Sequence, residues 1–318
     1  MNIFINLFVA AVLAGTPLLF GTLGEIINEK AGHLNLGVEG MMAMGACAGF
    51  MVGYATDNLL LAILGAFAAG VFGALIYAVL TITYMADQNV TGLTLTIFGI
   101  GLSNFFGEYM LSKSEAKSLK LPEHILQSLA KIKIPVLSDI PVLGKMLFNY
   151  NIFVYLGIVV AILCGLYLNR TKTGLKLRAT GENPGAADAA GIPVTKYKYL
   201  NVMLGGGICG IGGAYASMII CNGVWLSNCV NGLGWIAVAL VIFATWSPYK
   251  ALAGSLVFGA FSVLKYYVPK SVISIPDSIF DMAPFFMTIL VLIITSIRQS
   301  KENAQPQSCG VNYFREER

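Results

Sequence analysis

Charge is scarce in this 318-residue chain: Asp, Glu, Lys and Arg together make up 11% of it, against about 25% in an ordinary soluble domain. The shortage is uneven, since no charged residue occurs at 1–24, 58–86, 146–169 or 199–249. A helix crosses the hydrocarbon core with about 20 apolar residues, and the last of these stretches is long enough for two. With 57% hydrophobic residues, the chain is excluded from the soluble globular class and reads as an all-α, polytopic membrane protein. Histidine is almost missing. His33 and His124 are too few and too far apart for a proton relay or a metal site. The cysteines (Cys47, Cys164, Cys209, Cys221, Cys229 and Cys309) form no CxxC and read as small apolar residues in the membrane, with Cys221 and Cys229 near enough to meet in a short loop. No HExxH, GxSxG or GxxxxGK[ST] is present, and Gly144-Lys145 is followed by Met146 without a phosphate-cradling loop. These absences exclude ATP binding by a P-loop and argue against an enzyme. No basic residue precedes Lys30, so the first apolar segment is expected to stay as a permanent span rather than a cleaved signal.

What is present is a succession of uncharged, helix-compatible runs. They predict nine spans, at 2–24, 34–54, 58–84, 89–110, 150–168, 197–220, 230–246, 250–266 and 282–297. The residues 1–298 then form one transmembrane domain, with long connections at 112–149 and 169–196 and a polar tail at 299–318, expected to be poorly ordered beyond its first turn. With nine spans, one face carries 25–33, 85–88, 169–196, 247–249 and the tail. That face holds twelve basic residues against eight, and all five arginines, which places it in the cytoplasm by the positive-inside rule. The expected arrangement is N-terminus out, C-terminus in, with 112–149 extracytoplasmic.

Glycine recurs at helical spacing. Gly45, Gly49 and Gly53 share one helix face, as do Gly206, Gly210 and Ala214; such ribbons let helix backbones approach closely in lipid, whether inside one bundle or along a pore. Glu39 is a lone acid in an apolar helix. It could accept free backbone N–H groups near a helix start, or serve as an ion site. The segment 169–198 holds six basic residues and a short helix with clear punctuation: Asn183 as N-cap, Pro184 at the first position, Gly191 able to take the left-handed C′ conformation and Pro193 beyond it. A helix capped at both ends on a loop suits docking onto another protein; a lipid-facing basic loop is the alternative. The loop 112–149, with six lysines, three acids and a doubled Ile-Pro-Val-Leu at 134–137 and 140–143, suggests an ordered lid.

Three ordered blocks carry a family likeness. Gly24–Ala46, GEIINEKAGHLNLGVEGMMAMGA, resembles the Glu-(Arg/Lys)-x-Gly-x-(Ile/Leu)-Asn-(Ile/Leu)-Gly-(Leu/Val)-Glu-Gly signature of permease subunits of ATP-binding-cassette importers, in the group of branched-chain amino acid, ribose and nucleoside systems. GLKLRATGENPGAADAAGI is similar to that family's coupling segment, and NGLGWIAVALVIFATWSPYKALAGSLVFG to its C-terminal block. Thr180 and Gly185 stand where the family has Val and Arg or Lys, and His33 is unusual. The resemblance implies an inverted-repeat importer permease fold of the type II kind in a bacterial plasma membrane. It implies a pore for nucleosides or simple sugars, no cofactor or metal bound by this chain, and ATP bound on a partner ATPase. The implied partners are an ATPase dimer, a second permease (paralogue or self) and an extracytoplasmic solute-binding protein. Carried over by position, 182–191 is the coupling helix, with Gly181, Glu182, Asn183, Pro184, Ala187, Asp188 and Gly191 as its residues. Asn35, Gly37, Glu39 and Gly40 match the signature.

Polar residues in the spans add Asn89, Thr91, Thr94, Thr96, Asn104, Asn201 and Asn231 as candidate pathway lining for an uncharged solute. Two rivals stay open: an ion-gradient carrier using Glu39 with Asp87 or Glu108, and a membrane scaffold without transport. Only the coupling segment separates them, since neither rival needs it.

Overall fold

The protein is seen in a computed structural model that describes residues 2–114, 118–133, 143–267, 276–298 and 304–315. Its helices are α1 (Asn2–Lys30), α2 (Val38–Thr56), α3 (Leu59–Ala78), α4 (Gln88–Lys113), α5 (Glu123–Ser128), α6 (Leu143–Leu147), α7 (Ile152–Arg170), α8 (Lys172–Glu182), α9 (Pro184–Ala189), α10 (Val194–Tyr215), α11 (Leu233–Phe243), α12 (Pro248–Leu264) and α13 (Asp277–Arg298). π-Helical turns at Val79–Thr83 and Ala216–Ile220 extend α3 and α10. Among the described residues, six helices are long and apolar enough to cross a membrane: α1, α2, extended α3, α4, α7 and extended α10. Three more apolar helices are shorter, α11, α12 and the Ser278–Ile294 part of α13. The doubled Ile-Pro-Val-Leu lies, except for its last residue, outside the described residues.

The two glycine ribbons seen in the sequence pack against each other. A methyl group at Gly45 would sit 2.3 Å from the carbonyl oxygen of Gly210, and one at Gly49 would sit 3.0 Å from both Ala214 Cβ and Ala66 Cβ. α2 and α10 therefore run side by side in the same direction, with α3 antiparallel across both: Gly70 abuts Gly206, and Ala66 abuts Gly210. α1 crosses the centre antiparallel to α10 and α12. Tyr215 on α10 donates to the Leu13 carbonyl at 2.8 Å, and Gly259 on α12 faces Ala11 and Gly15. Close packing of small residues, rather than exclusion of water, is what holds such a bundle in lipid. The outward faces stay apolar and exposed, as Leu64, Phe72, Ile97, Phe105 and Leu163 show, a pattern suited to lipid.

At the bundle end that holds the start of α7, residues 119–133 and 149–150 form a small cap. Ile132 pairs with Tyr150 and Lys133 with Asn149 in a two-stranded ladder, β1 (Ile132–Lys133) with β2 (Asn149–Tyr150). Leu121 N–H donates to Gly223 and Trp225 N–H to Leu119, which ties the cap to the turn after α10. At the opposite end, the end of α1, the turn 84–87, α8, α9, the turn 244–247 and residues 304–315 meet.

Two expectations change here. The uncharged run 230–246 reads as one span, but its helix covers only 233–243, because Asn228, Asn231 and Gly232 before it and Thr245 and Trp246 after it hold positive φ. The polar tail is not loose over 304–315: Pro306 and Ser308 are buried and its backbone is hydrogen-bonded to α8.

Candidate functional site

The Gly24–Ala46 signature folds into a pinned turn between α1 and α2. Asn35 is fully buried; its N–H donates to Glu25 Oε1 at 2.8 Å and its Oδ1 accepts the Gly37 N–H at 2.9 Å. Leu34 N–H donates to Gln88 Oε1, Tyr77 OH donates to the Leu34 carbonyl, and Thr96 Oγ1 donates to the Leu36 carbonyl. Side chains of α1, α3 and α4 thus satisfy backbone groups of the turn, as a turn removed from water requires. Gly37 and Gly40 are small because α4 lies against them: a Cβ at Gly40 would sit 2.4 Å from the Leu95 carbonyl oxygen. His33, buried in the same turn, has no hydrogen-bond partner for either ring nitrogen among the described residues. Burial, and then Lys198, hold it well below the ordinary histidine value, so it is neutral.

Glu39 does accept backbone N–H groups, but those of a different helix. Its two oxygens take the N–H of Gly232 at 2.7 Å and of Gly234 at 2.6 Å, at the N-terminus of α11. The first N–H groups of a helix lack internal partners, and a carboxylate there also meets the positive end of the helix dipole. The first turn of α11 is thus anchored to α2. In front of this junction lies a cavity of about 270 Å³ lined by Glu39, Ser103, Asn104, Asn228, Asn231 and Trp235, with Ala43, Ile100, Cys229, Val230 and Gly232. Asn104 and Asn228 are joined side chain to side chain at 2.9 Å, and Asn104 Oδ1 accepts the Asn228 N–H. Cys221 and Cys229 meet, both as free thiols, and the hydrogen bond with Cys229 draws Cys221 downward against its burial.

The structure spreads the other polar candidates differently. Asn35, Thr91 and Asn201, expected along a pathway, are buried between helices and bonded internally. Thr91 Oγ1 returns to the Asp87 carbonyl, while Asn201 accepts from Tyr167 OH and donates to the Tyr197 carbonyl. None of the three is among the residues that line this cavity. Asn89 is exposed on the first turn of α4 and Thr94 bonds back to the Val90 carbonyl. Asp87 caps α4 by accepting the Val90 N–H. Trp235 and Asn228, which no motif or spacing singles out, complete the cavity wall.

At the other site the expected helix 182–191 divides. Gly181 and Glu182 close α8, and α9 proper is Pro184–Ala189, because Asn183 has extended backbone and its side chain caps Ala186 N–H at 2.9 Å. The far end closes as the punctuation predicts. Gly191 has φ +78°, its N–H donates to Asp188, and Ile192 N–H donates to Ala187, the paired bonds of a Schellman ending. Gly181 is a close-approach glycine, with a Cβ there falling 2.3 Å from the Lys30 carbonyl oxygen. α8 therefore bears directly on the last turn of α1. In that same turn Glu29 Oε2 accepts from Trp246 Nε1 at 2.7 Å, just past the end of α11. A cleft of about 450 Å³ between these elements is lined by Lys30, Arg178, Glu182, Trp246 and Lys250, among others.

A helical, glycine-packed membrane bundle with a polar cavity at the start of a short apolar helix, and a small doubly capped helix beside the bundle end, has the build of a transport permease. A sequence profile of the family described as "Branched-chain amino acid transport system / permease component" matches residues 7–294, and the chain belongs to that family. It is a multi-pass membrane permease of an ABC transporter and not an enzyme. It is 34% identical over 315 residues to the nucleoside ABC transporter permease protein NupC of Lactococcus lactis subsp. cremoris, covering 96% of this chain and 95% of that one. It is 35% identical to the guanosine ABC transporter permease protein NupQ of Bacillus subtilis, covering 89% of each. A Haloferax volcanii protein, TsgC13, provisionally named as a glucose ABC transporter permease, is 37% identical over 83% of this chain and 78% of its own length.

Proposed function

We propose that this chain is a pore subunit of an ATP-driven importer for nucleosides, in a bacterial plasma membrane, with α9 as the helix that docks into a separate ATPase and the face bearing α8, α9 and residues 304–315 in the cytoplasm. The observation that carries the solute class is the cavity at the start of α11. Its polar wall is uncharged amide and hydroxyl from Asn104, Asn228, Asn231 and Ser103, with the indole of Trp235 beside them, while the one carboxylate is already bonded to two N–H groups. Amides that both donate and accept, next to an aromatic face, suit a neutral, polyhydroxylated ring compound, and the relatives named for guanosine and nucleosides favour a nucleoside over a simple sugar. Binding sites beside helix N-termini recur in transporters.

The energy route follows from the contacts. Movement of α9 by the ATPase passes to α8, from Gly181 to the Lys30 carbonyl at the end of α1, from Glu29 to Trp246, and so to α11 and the cavity. Such a chain of rigid elements switches between discrete packings, as alternating access requires. A second permease, paralogue or self, would complete the pore, and an extracytoplasmic binding protein would deliver the solute to the cap at 119–133. The ion-gradient alternative has no support in the geometry, since Glu39 is engaged at α11 and Asp87 caps α4. The test is uptake by cells lacking this gene: labelled guanosine uptake is lost, and is competed by other nucleosides but not by glucose in cells that keep it. Loss of glucose uptake with guanosine uptake intact would move the assignment to sugars.

A further inference from the structure

We infer that residues 304–315 form a clip that positions the coupling helix α9, with Tyr313 and Arg315 as the positioning residues and Asp188 as their anchor. The segment crosses the polar face and bonds to α1, α8, the turn 84–87 with the start of α4, and α9. Gln305 Nε2 and Cys309 Sγ reach Glu29 Oε2 at the end of α1, at 3.2 and 3.7 Å. Gln307 N–H donates to Glu182 at 3.3 Å. Ser308 donates to the Gly181 carbonyl from its N–H at 3.1 Å and from Oγ at 2.5 Å. Asn312 Nδ2 donates to the carbonyls of Met85 and Ala86, and Asn312 Oδ1 accepts from Gln88 Nε2. Tyr313 OH then donates to Asp188 Oδ2 at 3.0 Å, and Arg315 Nε lies 3.0 Å from the same oxygen.

The order of these contacts is what gives the segment a role. Ser308 seats in the gap left where Gly32 and Gly181 approach, since a Cβ at Gly32 would sit 2.7 Å from Ser308 Oγ. The clip is therefore fixed at its middle to the α1–α8 contact, through which force from α9 must pass. Its last residues hold α9 by the one acidic side chain on that helix, and Asp188 is only 13% exposed while Arg315 is 77% exposed. α9 is a six-residue helix linked to α8 through a single extended residue, and the clip adds a hold on its angle to that of the buried Ala187. With the clip in place α9, α8 and the end of α1 move as one unit; without it α9 can turn about Asn183 and pass less of its movement through α8 to α1. The proposal rests on the reading of α9 as the coupling helix.

The experiment uses the complete transporter in membrane vesicles and measures solute taken up per ATP hydrolysed. Arg315→Glu and Asp188→Arg should each lower that ratio by about threefold, the scale of an exposed ion pair with its hydrogen bonds, with the ATPase still bound. The double reversal Asp188→Arg/Arg315→Glu should restore it. Cys309 reports on docking independently: mapped by mass over a time course with a membrane-impermeant maleimide on inside-out vesicles, it should label slowly in the natural chain, several-fold faster in each single reversal and slowly again in the double. An unchanged ratio in Arg315→Glu, a double reversal no better than the singles, or a gain of uptake on deleting 304–318 would overturn the clip. An ATPase that never binds the natural chain would instead overturn the coupling reading of α9, and the Cys309 pattern would still show whether the clip forms.

Discussion

Glu39 and His33 lie close together in sequence and answer to different physics. Glu39 satisfies two N–H groups at the start of α11, so removing the acceptor leaves both unpaired in a buried place. Each costs roughly 1–3 kcal/mol. Glu39→Ala should lower the thermal unfolding midpoint in detergent and abolish uptake, whereas Glu39→Gln, which keeps one acceptor, should fall between. Uptake by Glu39→Gln that is lost together with its ion dependence, at unchanged stability, would restore the ion-site reading. His33 is held neutral by burial, so its folded value lies below the unfolded value near 6.5. Below that pH the unfolded chain takes up a proton the folded chain refuses, and stability falls as pH falls, by up to about 1.4 kcal/mol per unit. His33→Leu removes this component. Its unfolding midpoint should match the natural chain at pH 7.5 and exceed it at pH 5.5; equal acid-side losses in both proteins would contradict the assignment.

At the scale of elements, glycine substitutions separate packing from backbone conformation. A Cβ at Gly213 would sit 1.8 Å from the Met42 carbonyl oxygen, so Gly213→Ala must push α2 and α10 apart, at a cost of about 2–3 kcal/mol or more. Gly191 has φ +78° and nothing within 4 Å of its missing Cβ, so Gly191→Ala should cost only about 1 kcal/mol while loosening the end of α9. Folded yield and unfolding midpoint check the first, and uptake at normal folded yield checks the second. The ribbons Gly45/Gly49 and Gly210/Ala214 were legible separately, because small residues at helical spacing mark a face that needs close approach. That the two faces meet each other was not, since nothing in one ribbon names its partner. The capping of α9 was legible because Asn, Pro and Gly act locally. The short extent of α11 was not: Asn228, Asn231, Thr245 and Trp246 hold positive φ, and in sequence they sit in an unbroken uncharged run. Polarity singled out Asn201 and Thr91 but not their partners: Asn201 bonds to Tyr167 of α7, and Thr91 back to the Asp87 carbonyl.

At the scale of the whole molecule, one polar face gathers the end of α1, the turn before α4, α8, α9 and residues 304–315, and the cavity lies deeper, at the other end of α11. The tail's part in that face escaped the sequence because its bonds are directed at backbone carbonyls and single carboxylates, which leave no hydrophobic period. The most direct measurement places the purified chain, with its permease partner and ATPase, in proteoliposomes and follows guanosine accumulation. The account predicts accumulation only when ATP and the ATPase are both present, unchanged when ionophores collapse every ion gradient. Accumulation by the membrane chain alone, following an imposed ion gradient and abolished by the ionophore, would contradict it.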